Sequence, residues 1–332
     1  MGWVIWISGR PDGERSAVAR AATVELRRLD ARIALLELDE LRRFVTPSPR
    51  ETERERYMVC RALVYVADLL SERGISVIVD GAMHGDGWRD LAMAAIPRFA
   101  EIEVDPGAAT VAEGTAHVVR LARQLTDGAA SATGPQAKAP AVPGWAIWIT
   151  GRPGSGKTTL ARRVAEALAA RGVQACMLDH AGARRFLVGN GPTAEADQDI
   201  VYRALAYAAK RLVDAGLPVI VDATASRRVW REVARMLIPC FGEVQLLCPV
   251  DTCIERERAV HWGLSAGGGG PSRMTAAAPD IVLGYEESFR PDLMLRTDLH
   301  EVWDSVEQVL ALVQRLARGR PRRRESPEGR LP

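Results

Sequence analysis

The sequence predicts an α/β protein of two tandem domains, each a parallel sheet flanked by helices, and three observations carry the prediction. Apolar strand-like runs alternate with segments of helical periodicity, the pattern of a parallel sheet covered on both faces. The chain also repeats itself. Gly9 matches Gly151, Arg42, Arg43 and Phe44 match Arg184, Arg185 and Phe186, Arg61 matches Arg203, Gly74 matches Gly216, Asp80 matches Asp222, Trp88 and Arg89 match Trp230 and Arg231, and Pro97 matches Pro239. The offset is constant (151 − 9 and 239 − 97 both give 142), so a whole domain has been duplicated. Finally, GRPGSGKT at 151–158 fits G-x-x-x-x-G-K-[ST] between a predicted strand and a predicted helix, which makes both domains of the P-loop NTPase type.

The elements follow from period and punctuation. In the second copy, WAIWIT is a buried strand, TTLARRVAEALAARG a helix stopped by glycine, and VQACMLD a strand. DQDIVYRALAYAAKRLVDAG is a long helix closed by Gly216, PVIVDA a strand, SRRVWREVARML a helix and EVQLLCPV a strand. After Pro97 and Pro239 the copies diverge: the second continues through a long segment, 252–295, that the first lacks. The expected organisation is a degenerate domain at 1–127, an Ala/Gly/Pro-rich linker at 128–143, a P-loop domain at 144–317 and a disordered basic tail at 318–332.

Composition excludes several classes. With Lys+Arg at 44 and Asp+Glu at 42, the formal charge of +2 gives no global case for nucleic acid or a membrane surface. RGRPRRR at 318–324 is the sole basic run and reads as a solvated tail. The five cysteines form no CxxC pair, so neither a disulfide framework nor a zinc site is indicated. No apolar run reaches the roughly 20 residues a bilayer span needs, and no secretory signal pattern opens the chain. A cytoplasmic protein is expected.

Ligands of such sheets bind at the carboxyl ends of the strands, where GRPGSGKT falls. Gly151, Pro153, Gly154, Ser155, Gly156, Lys157, Thr158 and Thr159 are the predicted phosphate cradle for ATP. Backbone N–H groups approach the phosphates, Lys157 reaches the β- and γ-phosphates, and the Thr158 hydroxyl serves Mg²⁺. In the first copy Asp12 and Glu14 replace Gly154 and Gly156, and Arg15 replaces Lys157. Negative charge and side chains where backbone must approach phosphate predict a domain without nucleotide. Asp222 ends an apolar strand, from which it can reach the Mg²⁺ shell or a substrate hydroxyl; capping the next helix is the competing assignment. Asp179 ends another strand with Arg184 five residues on, a pair suited to an acceptor hydroxyl and an anionic substrate, against a plain helix start.

WAIWITGRPGSGKTTLARRVAEAL, LDHAGARR, LVDAGLPVIVDA and GYEESFRPDLMLRTD together resemble the adenylylsulfate (APS) kinase family across most of 144–317. The resemblance implies transfer of the ATP γ-phosphate to the 3′-hydroxyl of adenylylsulfate. It places Asp179 at the first aspartate of the family's Asp-Gly-Asp stretch, Arg184 at its substrate-binding arginine and Arg256 at the arginine beside the nucleotide. Three positions depart: the second aspartate is Ala181, and the asparagine and arginine used on adenylylsulfate fall at Val201 and Gln198. The lid is RAVHWGLSAGGGGPSR, with Trp262 in place of a tyrosine, Arg258 and Arg273 as cations, and Gly267 to Gly270 predicting mobility. VIVDAT followed by arginines also resembles the polynucleotide-kinase-like group, whose acceptors include nucleic-acid ends and small metabolites. A nucleotide-dependent switch without a phosphoacceptor is the alternative from another class. Lys157, Mg²⁺ on Thr158 and Asp222, and Arg256 or Arg258 are expected to carry phosphoryl transfer, with Asp179 or Asp222 orienting the acceptor. Because members of the resembled family are dimers, the first copy is expected to pack on the second as a stand-in subunit, with a homodimer as the alternative.

Overall fold

VIWISG and AIWITG, apolar and β-branched, form β1 (Val4–Gly9) and β5 (Ala146–Gly151), interior strands of two separate parallel sheets in the computed structural model. The structure describes residues 1–9, 14–29, 32–47, 52–82, 87–104, 110–127, 144–189, 194–265 and 284–318, without the side chains of 260–265. The first sheet adds β2 (Ile33–Glu37), β3 (Ser76–Asp80) and β4 (Phe99–Val104) in the order β2-β3-β1-β4. The second adds β6 (Cys176–Asp179), β7 (Val219–Asp222), β8 (Phe241–Leu247) and β9 (Leu293–Arg296) in the order β6-β7-β5-β8-β9. Val4 lies opposite Val77 and Phe99, and Ala146 opposite Val219 and Phe241, so the duplication preserves register residue for residue. The segment unique to the second copy supplies β9, its additional strand.

The helices are α1 (Glu14–Leu29), α2 (Leu38–Val45), α3 (Glu53–Glu72), α4 (Gly87–Ala95) and α5 (Val111–Asp127) in the first repeat. The second has α6 (Lys157–Ala169), α7 (His180–Val188), α8 (Glu195–Asp214), α9 (Arg228–Leu237), α10 (Val250–Ser265) and α11 (Val302–Arg318). Strand β6 is shorter than VQACMLD predicts, because the chain is still turning out of α6: Gly172 has φ +79° and the Val173 N–H returns to the Leu168 carbonyl at 2.9 Å. Strand β8 stops at Leu247 because Val250 already begins α10. The linker at 128–143 and the tail beyond 318 lie outside the described residues.

Compact units do not follow the repeat boundary. One unit comprises Met1–Ala141 with Leu178–Gly216, the other Val142–Met177 with Leu217–Pro332. In the first, β1 is covered by α1 and α5 around Trp3, Ile5, Ile7, Val18, Ala22 and Val118. In the second, α6 and α11 cover β5 and β8 around Ile147, Ile149, Leu160, Val164, Val244 and Val309. Burial of these side chains at about 25 cal/mol per Å² is the main stabilising term of both sheets.

Within the first unit, α3 packs against α7 and α8, and α2 against α8. The contacts are reciprocal: Arg61 Nε donates to the Phe186 carbonyl at 2.6 Å, and Arg203, its counterpart, donates to the Phe44 carbonyl at 3.4 Å. The ring pairs repeat the pattern, Tyr65 with Phe186 at 5.1 Å and Tyr207 with Phe44 at 6.0 Å. The same patch meeting itself is how two-fold interfaces are built, here inside one chain.

On α3, burial and the neighbouring Glu72 push the Asp68 carboxyl up to about 6. A carboxyl whose folded pKa is raised binds its proton more tightly when folded, so stability falls as pH rises from about 4 to about 6. At 1.36 kcal/mol per unit the penalty is about 3 kcal/mol, and solvent screening of this half-buried group reduces it to about 1 kcal/mol. Asp68→Asn is therefore expected to stabilise the chain by about that amount at pH 7.5 and not at all at pH 4, measured by urea unfolding at both values.

Candidate active site

The phosphate loop joins β5 to α6, and its conformation requires glycine at two positions. Gly154 has φ +76°, and a Cβ there would lie 2.3 Å from the Cys253 carbonyl oxygen of α10. Gly156, the N-cap of α6, has φ +92°. Both are left-handed conformations that cost an L-residue about 1 kcal/mol or more. With no side chains in the way, the first N–H groups of α6 and its positive dipole end face one concavity, a ready anion site.

Lys157 begins α6 and is buried; its ammonium donates to the Arg152 carbonyl across the loop at 2.8 Å. Burial lowers its pKa, while Asp222, Glu257 and Cys253 pull it back up. A desolvated cation over a nest of N–H groups is suited to phosphate oxygens. Thr158 Oγ1 donates to Asp222 Oδ2 at 2.6 Å, so the structure brings the helix start and the end of β7 together as the sequence predicts. Asp222 does not cap the following helix: Arg227 is the N-cap residue of α9. A hydroxyl and a carboxylate are hard oxygen donors of the kind Mg²⁺ takes alongside nucleotide phosphates and water. Among the described residues no group of three or more His, Cys, Asp or Glu side chains forms a metal cage.

The rest of the loop is secured from behind. Thr297 Oγ1, just beyond β9, donates to the Ser155 carbonyl at 3.0 Å, and Arg256 NH2 donates to the Thr297 carbonyl at 2.9 Å. Arg256 thus sits in α10 tied to the strand end that holds the loop. Beside it, Arg152, Leu246, Cys248, Tyr285, Glu287 and Arg296 line a pocket of about 220 Å³ at the carboxyl ends of β5, β8 and β9. Pro153 is half-buried and Thr159 exposed. The glycines 267–270 and Arg273 lie outside the described residues; Arg258 is on the exposed side of α10.

Sequence reasoning assigns neither Thr150 nor Tyr285 a role, although both lie in the stretches that carry the family resemblance; their hydroxyls pair at 3.0 Å directly before the loop. It also noted Arg231 only as a repeat marker. Arg231 is fully buried, pairs with Glu243 at 3.0 Å, and donates to the carbonyls of Ala225 and Glu286. Ala225 follows β7 with φ +42°, a left-handed position for a non-glycine residue. A signal was present: the twelve-residue spacing recurs as Arg89 and Glu101, which pair at 2.5 Å in the first repeat.

Asp179 and Arg184 belong to the other compact unit. Asp179 is the N-cap of α7, its Oδ1 accepting from the Gly182 N–H at 2.7 Å. Arg184 lies half-exposed on the same helix. Of the departures, Val201 is fully buried and Gln198 is hydrogen-bonded to the His180 ring at 3.0 Å. In the first repeat, Arg15 Nε donates to Asp80 Oδ1 at 2.5 Å with both side chains buried, and NH1 reaches the Gly9 carbonyl at 3.3 Å. The counterparts of Lys157 and Asp222 thus neutralise each other.

A family model described as adenylylsulphate kinase matches residues 1–114 and again 143–268. A probable adenylyl-sulfate kinase of Archaeoglobus fulgidus is 32% identical over 155 residues, 47% of this chain and 97% of that protein. An adenylyl-sulfate kinase of Deinococcus deserti is 32% identical over 167 residues, 50% of this chain and 90% of that one. The solved Mycobacterium tuberculosis APS kinase bound to AMPPNP and APS is 27% identical, with 52% of this chain and 99% of that one covered at a TM-score of 0.43. Nearly whole relatives match about half of this chain, as a tandem duplication requires. No helix among the described residues is long and apolar enough to cross a membrane.

Proposed function

The chain belongs to the adenylylsulphate kinase family, and from that premise we propose that it is an ATP-dependent kinase acting on a hydroxyl of a small anionic acceptor, adenylylsulfate first among candidates. The observation that carries the reading is the joined set Lys157, Thr158 and Asp222 around a glycine cradle. MgATP would supply the transferable phosphoryl group there. Phosphoryl transfer asks mainly for positioning and charge neutralisation, and the residues divide the work. The loop N–H groups and Lys157 neutralise the phosphate oxygens. Thr158 and Asp222 offer oxygen donors to the magnesium ion. Arg256, fixed by Thr297, holds the strand end against the loop. On the acceptor side, Arg184 pairs with the anionic group and Asp179 orients the hydroxyl.

The first repeat has no place for the same chemistry. Its buried Arg15–Asp80 pair fills the cation and carboxylate positions, and opening it would leave two desolvated charges. One nucleotide per chain follows.

ADP release from ATP and Mg²⁺, with and without adenylylsulfate, tests the reading. Strong stimulation by adenylylsulfate is expected. Tight ATP binding without stimulation would overturn the acceptor and keep the nucleotide site, sending the search to other hydroxyl-bearing metabolites and nucleic-acid ends. Buried Val201 and engaged Gln198 make that outcome informative, since valine has no polar group to offer and the Gln198 amide oxygen already accepts from the His180 ring.

A further inference from the structure

Helix α7 carries Arg184 and is capped by Asp179, the two residues assigned to the acceptor, yet it spans only nine residues, too short to hold its own conformation and direction in water. What orders it lies in the same compact unit, and much of it comes from the first repeat. Arg61 of α3 donates to the Phe186 carbonyl at 2.6 Å, with its guanidinium 5.7 Å from the Phe186 ring and the Tyr65 ring tilted against that ring. Phe186 is two residues from Arg184. On the other side of the α7–α8 connection, Arg54 grips Asp197 with two hydrogen bonds of 2.7 Å. Asp197 is 2% exposed and also accepts from the Ala194 N–H at 2.8 Å, fixing the start of α8. At the far end of α8, Glu40 of α2 accepts from Tyr207 at 3.1 Å and Arg211 at 3.2 Å.

The Arg61 contact has its mirror in Arg203, but the two ion pairs do not. The positions corresponding to Arg54 and Asp197 are Ala196 and Glu55, and those corresponding to Glu40 and Arg211 are Gly182 and Leu69. The departures from two-fold symmetry therefore both fasten α8 of the repeat that keeps its P-loop. A carboxylate as buried as Asp197 is costly without its partner. Such a contact fixes one geometry rather than adding loose attraction.

We propose that the first repeat, having lost its own phosphate loop, serves as a positioning element for acceptor binding, with Arg54 and Arg61 clamping the two flanks of the α7–α8 connection. The role rests on the assignment of Arg184 and Asp179 to the acceptor given above. Arg54 and Arg61 are positioning residues; they act through α7 and α8 and touch neither substrate.

The test uses the full chain and two readouts. Amide hydrogen exchange of the wild type is compared with Arg61→Ala, Arg54→Gln and Arg61→Lys, and the same proteins are assayed for adenylylsulfate KM and ATP affinity. Arg61→Ala is expected to lose protection across 180–189 and to raise acceptor KM about tenfold, equivalent to about 1.4 kcal/mol, with ATP affinity unchanged. Arg54→Gln is expected to act at 194–197 in the same sense. Arg61→Lys should recover part of the KM, since an ammonium can still donate to the Phe186 carbonyl. Unchanged exchange at α7 would overturn the clamp, and raised exchange with unchanged KM would overturn the positioning role. A wild-type chain without adenylylsulfate-dependent turnover would sink the acceptor assignment and the positioning role with it, while exchange would still decide whether the clamp exists.

Discussion

Replacing Lys157 with alanine is expected to lower phosphoryl transfer by about a thousandfold, the effect of removing one preorganised charge from a transition state that is nearly all charge. The ammonium is held over the loop by the Arg152 carbonyl at 2.8 Å, so its position is set before any phosphate arrives. Its depressed pKa reflects burial, and phosphate oxygens would restore what desolvation takes away. A single substitution is enough on the proposal that only the second repeat binds nucleotide, since in the first Arg15 is paired with Asp80. Equilibrium binding of an ATP analogue with kinetics on the same protein checks both parts. The wild type should bind one nucleotide per chain and the variant none at the same concentration. Two nucleotides per wild-type chain, or turnover that survives in Lys157→Ala, would contradict this account.

The sequence made the parallel sheets, their duplication and the phosphate loop legible because strand–helix alternation and the loop are local patterns and the repeat has a fixed offset. A strand, a glycine loop and a helix follow one another within residues 146–169, and register repeats at a fixed offset. The two aspartates were not separable on the same basis. Each ends a strand before a helix, and only packing shows that Asp222 meets Thr158 while Asp179 turns back on the Gly182 N–H. The helix cap that competes for Asp222 is instead the role of Asp179. Thr297 and Tyr285 lie 142 and 135 residues from their partners Ser155 and Thr150. Periodicity carries no information about contacts at such separation. Nor does the repeat offset reveal that 178–216 joins the first repeat's unit, because that depends on which helix faces are apolar toward each other.

Arg231 is where the largest change in stability is expected. It is fully buried and its guanidinium is shared by Glu243 at 3.0 Å, the Ser288 hydroxyl at 3.1 Å, and the carbonyls of Ala225 and Glu286. Arg231→Met keeps the stem's volume and removes every one of these donors. It leaves Glu243, itself 4% exposed, with Arg235 as its remaining cation at 3.0 Å. Breaking a buried pair from one side costs about 3–5 kcal/mol, and with Arg235 still beside Glu243 the lower end of that range is expected, because the carboxylate has lost water and half of its charge compensation. The first repeat provides the control. Arg89 and Glu101 form the same pair at the same spacing, but Arg89 has 44% of its side chain exposed, so Arg89→Ala is expected to cost less than about 1 kcal/mol. Urea unfolding of the full chain, wild type against each variant, compares the two. If the Arg231 and Arg89 variants cost the same, burial is not what makes the pair matter. If Arg231→Met costs several times more and the double variant Arg231→Met/Glu243→Leu recovers most of it, the stranded charge is the cause. Loss of ATP affinity in Arg231→Met should accompany the loss of stability, because the same guanidinium packs 5.0 Å from the Tyr285 ring, whose hydroxyl holds Thr150 at the entrance to the phosphate loop.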